Sequence, residues 1–403
     1  MDNPQKIAQH GEYDGWERET DNVKYELIII GGGVWGCSAA LTAVRAGLQS
    51  VLLIEANPGI AQESSAKAGG IVTDLVWHQD DVRWVRRSRQ FYEEALALSG
   101  DSSILQRYGM LTLADPDRAA LLRMRAQNLV EAGIQAEIWD YRHIQDTYPE
   151  LDRLAPDVTG LWTPEDFHVN PTAYSQAVFQ EARRQGLQAR LGSRVKVLEP
   201  RSNEVIVHCA EERLTAERVL VTAGTWSRKL LNTAGIDIPL RPYRVQLSSL
   251  NFADGYHLPM VWDLASDVYL VPDGPHNLLA GDGTRLSEFN PDNYQTTGDD
   301  EFLANIADQT VQLMSLAETA GLRSSWAGLC GGTPDRRPLL GQVAEKVFVA
   351  TGDQGFGVMR GPALGELACQ VALGQAQAPQ LNPLRQPYSE FPIRPGFTLE
   401  DEI

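Results

Sequence analysis

The sequence lacks long apolar runs and an excess of basic residues. No run of about 18 apolar residues occurs in its 403 residues, so no membrane-spanning helix is predicted. Lysine and arginine total 35 against 53 aspartates and glutamates, a net charge of −18. This acidic balance argues against nucleic-acid binding, which needs a basic face, and against electrostatic adhesion to anionic membranes. The length allows two or three domains.

Cysteine is also scarce, since only Cys37, Cys209, Cys330 and Cys369 occur. Their wide spacing without a C-x-x-C pair argues against structural zinc, and the histidines show no H-x-x-x-H spacing, so no metal is expected. So few cysteines fit a reducing compartment. Residues 1–24 show no export signal, and we expect a flexible acidic tail and a cytoplasmic protein.

A βαβ unit is predicted directly after this tail. Residues 25–30 form a mostly apolar strand, residues 37–46 a helix that ends at Gly47, and residues 50–55 a second buried strand. Between the first strand and the helix lies the sequence Gly-Gly-Gly-Val-Trp-Gly, a G-x-G-x-x-G motif at residues 31–36. This order is typical of a dinucleotide-binding turn.

Each element of this motif has a physical purpose. Gly31 permits the tight turn, Gly33 lets the backbone approach a pyrophosphate, and Gly36 allows close helix–strand packing. The helix N-terminus presents free N–H groups to the phosphates. Glu55, 19 residues after Gly36, closes the second strand, where a carboxylate can accept hydrogen bonds from ribose hydroxyls.

Two further segments are rich in small residues. Residues 63–71 form a loop that lets a flat ring lie close to the backbone. Gly352, Gly355 and Gly357 lie between a predicted strand at residues 347–350 and a long helix at residues 357–377. The N-terminus of that helix can stabilise negative charge on a bound group. Between these segments, residues 243–283 alternate with period two, which predicts an antiparallel sheet.

The motifs near the C-terminus resemble one known family. Residues 325–329 (Ser-Trp-Ala-Gly-Leu), 333–341 and 347–357 are similar to the C-terminal signature of the glycine oxidase, sarcosine oxidase and D-amino-acid oxidase (DAO) superfamily. Residues 64–71, 219–226, 241–246 and 268–272 match the family in the same order. The chain is similar in particular to the branch with the sarcosine oxidase β-subunit, dimethylglycine dehydrogenase and proline dehydrogenases.

This resemblance implies an enzyme that binds FAD and oxidises the C–N bond of an amine or amino-acid derivative. A hydride passes to flavin N5, and water hydrolyses the resulting imine. The segments assigned to cofactor binding come from the motif, the small-residue loop, the middle of the chain and the C-terminal loop. They contain Gly31, Gly33, Val34, Trp35, Gly36, Glu55, Ala56, Ser64, Ser65, Lys67, Ala68, Gly69, Gly70, Val195, Ala223, Gly224, Trp226, Gly352, Gln354, Gly355, Phe356, Gly357, Val358 and Met359.

The sequence departs from the family at the substrate. Where the amino-acid oxidases carry an arginine for the substrate carboxylate, this chain has Cys330, which cannot supply that bidentate contact. Lys67, Arg244 and Arg336 are the candidate replacements. Tyr269 matches the family's tyrosine on the substrate sheet, and we assign catalytic or substrate contacts to Tyr269, Lys67 and Cys330. FAD is expected to be non-covalent, with a thioether to Cys330 as the alternative.

The electron acceptor stays open. Several relatives activate O2 with a lysine on the strand matched here by residues 277–281, and no lysine occurs there. O2 or another acceptor therefore remains possible. Two alternative functions are oxidation of a C–OH group, as in a 2-hydroxy acid, and a flavin-binding subunit of a larger electron-transfer complex. A homo- or hetero-oligomer is compatible with each of these functions.

The resemblance implies an α/β fold, α+β overall, with two interleaved domains. A Rossmann-like FAD-binding domain is expected from residues 25–80, 150–242 and 323–390. A mostly antiparallel substrate domain, flanked by helices, is expected from residues 81–149 and 243–322, with a C-terminal tail at 391–403. Residues 287–301 carry a net charge of −5, which we interpret as an aid to solubility.

Overall fold

The computed structural model describes residues 24–76, 79–209, 212–288, 290–385, 391 and 393. The predicted tails at residues 1–24 and 391–403 fall almost wholly outside this range. The α-helices of the described chain are α1 Val34–Arg45, α2 Gln79–Ser99, α3 Ala119–Glu131, α4 Tyr141–Thr147, α5 Pro171–Arg184, α6 Ser227–Asn232, α7 Asp300–Leu313 and α8 Gly357–Ala372. Short 3-10 turns occur at Ser102–Ile104, Gly224–Trp226, Ser315–Thr319 and Pro379–Leu381.

A six-stranded sheet brings together distant parts of the chain. In spatial order its strands are Gln188–Arg190, Val51–Ile54, Leu27–Ile30, Val219–Val221, Val347–Thr351 and Leu339–Ala344. The first five are parallel and the last is antiparallel. The four central strands are buried throughout and, apart from Thr351, apolar, because both faces of the sheet are covered. Helices α1, α5 and α8 pack on one face.

The largest sheet has nine strands. Its order is Leu286–Ser287, Arg241–Asn251, Asn277–Gly281, Tyr269–Pro272, Met260–Asp263, Met110–Ala114, Thr159–Thr163 and Glu137–Asp140, with Gly321–Gly332 also paired to Arg241–Asn251. All pairs are antiparallel except Met260–Asp263 with Met110–Ala114. The expected fold class, a Rossmann-like part interleaved with a mostly antiparallel sheet, is confirmed. The exact domain boundaries stay a prediction, and the strand Thr159–Thr163 lies in this large sheet.

Two small sheets complete the fold. One joins Lys24–Tyr25, Glu212–Ala216, Glu204–Cys209 and Val195–Arg201, and it covers the second face of the six-stranded sheet. The other joins Ile71–Val72, Phe167–Val169 and Leu105–Gln106. Across the described chain, no helix is both long enough and apolar enough to cross a bilayer.

Helices α1 and α8 pack closely because glycine leaves room at their crossing. A Cβ on Gly361 would lie 2.7 Å from the indole nitrogen of Trp35, and one on Gly365 would lie 2.3 Å from the Trp35 carbonyl oxygen. A larger residue at Gly365 therefore requires movement of a helix, and one at Gly361 requires movement of the Trp35 indole. This contact places the N-termini of α1 and α8, more than 300 residues apart, beside each other.

Candidate functional site

A cavity of about 560 Å³ lies between the six-stranded and nine-stranded sheets, within the usual range for ligand pockets. Its walls contain both glycine-rich segments and Tyr269. Most of the assigned cofactor residues line it, and they are Gly31, Gly33, Val34, Trp35, Glu55, Ala56, Ser64, Ser65, Lys67, Ala68, Gly69, Gly70, Val195, Ala223, Gly224, Trp226, Gly352, Gly355, Phe356, Gly357, Val358 and Met359.

The G-x-G-x-x-G turn has the geometry that the sequence predicts. Gly31 has φ +113°, and a Cβ there would lie 2.5 Å from the Thr222 carbonyl oxygen. A Cβ on Gly36 would lie 1.8 Å from the Gly31 carbonyl oxygen, so Gly36 serves packing and is not among the described cavity-lining residues. Gly33, the N-cap residue of α1, has no side chain to cover the helix N-terminus, which faces the cavity with its first N–H, that of Val34, bonded to the Ser65 hydroxyl.

Glu55 lies at the end of the second parallel strand, beside this turn. Its carboxylate accepts hydrogen bonds from the backbone N–H of Gly32 at 2.7 Å and of Asn57 at 2.8 Å. These bonds fix both oxygens at the cavity wall and leave further lone pairs for hydroxyl donors. The predicted ribose contact of Glu55 therefore has a suitable acceptor in place.

The small-residue loop connects the turn to the large sheet. The Ser65 hydroxyl accepts from the Val34 N–H at 3.2 Å, and the Ser64 hydroxyl donates to the Leu329 carbonyl at 2.7 Å. Gly70, with φ +71°, packs against His168, since a Cβ there would lie 2.7 Å from the imidazole. The loop is thus anchored at both ends while its middle residues face the cavity.

The C-terminal loop closes the opposite side. Its Asp353, which the sequence reasoning missed, lines the cavity and accepts from the N–H groups of Gly331 at 2.7 Å and Gly355 at 3.0 Å. Burial raises the pKa of Asp353. Gln354 is buried behind the loop and donates to the Thr333 hydroxyl at 2.7 Å, so it does not appear among the described lining residues.

Trp35 joins the two glycine-rich segments directly. Besides lining the cavity, its indole N–H donates to the Gly357 carbonyl at 2.8 Å, across 322 residues of sequence. In the sequence, a tryptophan at this variable position of the motif gives no indication of such a hydrogen bond. The two cavity walls, one from each end of the chain, are therefore held in a fixed relation.

Charged residues from the middle of the chain also reach the cavity. Arg194, Lys196, Lys229 and Asp292 line it, although the sequence pattern marked none of them. Asp292 accepts from the Trp226 indole at 2.9 Å, lies 3.4 Å from Arg194 and pairs with Lys229. Its hydrogen bond with Lys229 keeps the pKa of Asp292 below the ordinary value. The acidic segment at residues 287–301 thus has specific partners.

Tyr269 lies at the other end of the cavity, among apolar side chains. Met110, Leu247 and Trp262 line the same region. The tyrosine side chain packs directly against Gly281, where a Cβ would lie 2.3 Å from the tyrosine hydroxyl. Burial raises the pKa of Tyr269, so the phenol stays protonated and can donate a hydrogen bond.

Of the three cations that the sequence proposes for the substrate carboxylate, Lys67 lines the cavity. Its Nζ donates to Glu63 at 2.8 Å and to the Tyr294 hydroxyl at 2.6 Å. Burial would lower the pKa of Lys67, but the hydrogen bonds to Glu63 and Tyr294 outweigh it and hold the pKa above its ordinary value. Lys67 is therefore charged at neutral pH.

The two arginine candidates lie elsewhere. Arg244 is buried, 2.8 Å from Asp299 and 3.5 Å from Glu288, and Arg336 occupies a left-handed position with φ +56° in the turn after Thr333. Neither is among the described residues that line the cavity.

Cys330 does line the cavity. Burial raises its pKa well above the ordinary thiol value. The thiol is therefore protonated, and non-covalent FAD stays a prediction, with a thioether to Cys330 as the alternative. Within the described ranges, no cluster of three or more His, Cys, Asp or Glu side chains is placed to hold a metal ion.

These features fit a flavin dinucleotide on physical grounds. The glycine turn and the α1 N-terminus suit a pyrophosphate, and Glu55 suits hydroxyl donors. The α8 N-terminus, at Gly357, offers partial positive charge and free N–H groups to a second anionic centre. FAD presents such groups along one extended molecule.

Comparison with known proteins gives matches along almost the whole chain. The DAO family model, described as FAD dependent oxidoreductase, matches residues 26–371. The 4-methylaminobutanoate oxidase (formaldehyde-forming) of Paenarthrobacter nicotinovorans is 28% identical over 86% of this chain, which spans 43% of that relative's length. Glycine oxidase of Bacillus licheniformis is 25% identical over 87% of this chain and 94% of its own. The crystal structure of L-proline dehydrogenase from P. horikoshii has a TM-score of 0.81 at 22% identity, with 90% of this chain and 97% of that one covered.

Proposed function

The chain belongs to the DAO family of FAD-dependent oxidoreductases, and from this premise we propose that it oxidises the C–N bond of an amine that also carries a carboxylate. When bound, FAD supplies the hydride acceptor for this reaction. The observation that carries the proposal is the continuity of the cavity, in which the dinucleotide cradle opens directly onto a pocket with Tyr269 and Lys67. The names of two relatives, glycine oxidase and 4-methylaminobutanoate oxidase, denote substrates with both groups.

The pocket residues divide the work of holding such a substrate. The Lys67 ammonium attracts the carboxylate, and the Tyr269 hydroxyl donates a hydrogen bond to a polar substrate atom. The apolar side chains of Met110, Leu247 and Trp262 exclude water and favour the neutral amine, whose C–H bond is the more readily oxidised. No side chain needs to act as a strong base in this scheme.

We propose an electron acceptor other than O2. The strand Asn277–Gly281 carries no lysine, and its neighbour Tyr269–Pro272 places only Tyr269 on the cavity. Lys67, in the small-residue loop, lies on neither of these strands. Reduced enzyme should therefore reoxidise faster with a quinone or dye than with air-saturated buffer. Faster reoxidation in air would contradict this.

Anaerobic bleaching of the flavin tests the main proposal. The holoenzyme is mixed with amines in matched pairs, each with and without a carboxylate, and with 2-hydroxy acids. We expect the carboxylated amines to bleach the flavin. Bleaching by hydroxy acids alone would establish the C–OH alternative, and bleaching only with a partner protein would establish the electron-transfer subunit.

A variant pair locates the carboxylate contact. Lys67→Met should raise the KM for a carboxylated amine by about a hundredfold, the cost of a lost charged hydrogen bond, and leave the KM for its uncharged analogue unchanged. Lys196→Met, which alters a lysine from another part of the cavity wall, is the matched control and should leave both KM values unchanged. Equal effects on both amines would remove Lys67 from substrate binding.

We also propose a cytoplasmic location, because the four cysteines are all free thiols and three of them are buried. Localisation of the tagged full-length protein by cell fractionation tests this. Its oligomeric state stays a prediction.

A further inference from the structure

Helix α8 contains a proline near its start, and α2 compensates for it. Pro362 has no N–H, so the Val358 carbonyl, four residues earlier, loses its helical partner. The hydroxyl of Tyr92, on α2, donates to that carbonyl at 2.7 Å. The hydroxyl of Ser88, also on α2, accepts from the Ala363 N–H at 3.2 Å. The first turns of α8 therefore depend on α2 for their hydrogen bonds.

Arg360 forms the innermost contact between these helices. Its side chain is 1% exposed and is the largest of the fully buried side chains in the described chain. One terminal nitrogen pairs with Asp81 of α2, which is itself buried. The other donates to the Asp353 carbonyl at 2.9 Å, and the guanidinium lies 5.3 Å from the centre of the Phe356 ring.

This arrangement places Arg360 directly behind a wall of the cavity. Asp353, Phe356 and Gly357 line the cavity, whereas Arg360 is not among the described lining residues. The arginine thus contacts the loop from the side opposite the cavity. Its planar guanidinium reaches Asp81 and the Asp353 carbonyl at once, which the single ammonium of a lysine does not reproduce.

Breaking the buried ion pair of Asp81 and Arg360 would destabilise the protein. Two charges removed from water are tolerated when each has a partner, and loss of one partner leaves an uncompensated buried charge. The loop that Arg360 contacts has left-handed backbone at Gln354, φ +58°, and at Gly355, φ +84°. Such a loop keeps its shape only if its surroundings hold it.

We propose that the buried pair of Asp81 and Arg360 is a positioning device that holds the loop of residues 352–357 and the first turn of α8 in the shape that binds the flavin end of FAD. Neither residue contacts the reacting atoms. The inference rests on FAD binding and is independent of which substrate the enzyme oxidises.

The same two helices supply a matched control. Arg87 of α2 and Glu366 of α8 form an ion pair at 2.6 Å with Arg87 44% exposed, away from the glycine loop. If helix–helix attachment alone mattered, loss of either ion pair would act on FAD in the same way. If Arg360 positions the loop, loss of the buried ion pair should weaken FAD binding and loss of the exposed ion pair should not.

The test is FAD titration of the apoprotein, with its fold checked by circular dichroism. Arg360→Lys should raise the Kd for FAD about tenfold, because lysine keeps the positive charge but loses one of the two hydrogen bonds of the guanidinium, and should shift the visible spectrum of the bound flavin. Tyr92→Phe, a milder change, should raise the Kd about fivefold by the loss of a neutral hydrogen bond. Arg87→Met should stay within about twofold, since exposed ion pairs contribute little.

Two outcomes would overturn the proposal. One is wild-type FAD affinity and spectrum in folded Arg360→Lys. The other is an equal loss of affinity in Arg87→Met and Arg360→Lys, which would indicate a general helix-packing effect. Because substrate is absent from the titration, either result leaves the proposed C–N oxidation untouched.

Discussion

The two ends of the cavity are built in different ways. The glycine turn of the dinucleotide end uses backbone groups and one carboxylate from a single stretch of the chain, with Gly31, Gly36 and Glu55 within 25 residues. The substrate end uses side chains from separate strands, among them Leu247, Trp262 and Tyr269. One end is therefore specified by local steric rules, and the other by how a nine-stranded sheet assembles.

The two ends of the cavity should therefore respond differently to amino-acid substitutions. At the dinucleotide end, added atoms collide with backbone that cannot move, so substitutions should act on FAD binding and folding. At the substrate end, walls made of side chains can change size while the sheet persists. Substitutions there should act on KM.

The largest effect is expected for Gly36→Ala. The new Cβ would lie 1.8 Å from the Gly31 carbonyl oxygen, so helix α1 must move away from the turn. We expect the purified protein to contain no FAD and to unfold at lower denaturant concentration. Gly321→Ala, where nothing lies within 4 Å, is the control. A yellow, stable Gly36→Ala protein would refute the fingerprint geometry.

His168 gives the next largest effect, through pH. Burial lowers the pKa of His168 to about 4, below the ordinary 6.5, so the folded state binds fewer protons than the unfolded state between these values. Stability should therefore fall as the pH drops from about 6.5 toward 4, by on the order of 3 kcal/mol. Urea unfolding at several pH values should show that the free energy of unfolding depends less on pH in His168→Gln than in wild type. Parallel profiles for the two proteins would contradict the predicted contribution of His168.

Glu55→Ala tests the carboxylate of the dinucleotide end. The loss of its hydrogen bonds to the N–H groups of Gly32 and Asn57, and of its predicted ribose contact, should raise the Kd for FAD about tenfold. Glu63→Ala removes a cavity carboxylate at Lys67 and should change KM instead. If both variants lost FAD equally, the division between the two ends would fail. Fluorescence titration of the apoproteins measures this.

Much of the fold and the dinucleotide end could be predicted because their signals are local. The turn can be recognised because Gly31 and Gly36 occupy positions where a side chain would collide with the backbone. The expected family and the FAD cofactor are confirmed by the family match over residues 26–371. The predicted helix of residues 37–46 is found at Val34–Arg45, since the glycine turn precedes it and Gly47 follows it.

The side-chain partnerships could not be predicted, because they depend on pairing across the fold. Nothing near Lys67 in sequence indicates that its ammonium bonds to Tyr294, 227 residues away. Arg244 has the same charge as Lys67, yet its position on a long strand turns it toward Asp299. Charge alone does not decide which cation faces a cavity.

Two tryptophans permit a direct comparison of the ends. The indole of Trp35 donates to the Gly357 carbonyl at 2.8 Å, and that of Trp326 donates to the Lys67 carbonyl at 3.0 Å. Each substitution by phenylalanine removes one hydrogen bond, about 1 kcal/mol or fivefold in affinity. Trp35→Phe should weaken FAD binding and Trp326→Phe should raise KM. The opposite pattern in titration and steady-state kinetics would reverse the assignment of the two walls.

The smallest effect is expected for Asp292→Asn in the acidic segment. Asp292 joins this segment to Lys229, Arg194 and the Trp226 indole at the cavity wall, so a role in solubility alone does not account for it. Because these charges are partly exposed, the loss should speed FAD dissociation only about twofold, and high salt should abolish the difference. Asp308→Asn, on the outer face of α7, should change nothing. If both variants kept the wild-type dissociation rate in low salt but precipitated more readily, the segment would serve solubility as first inferred from its charge.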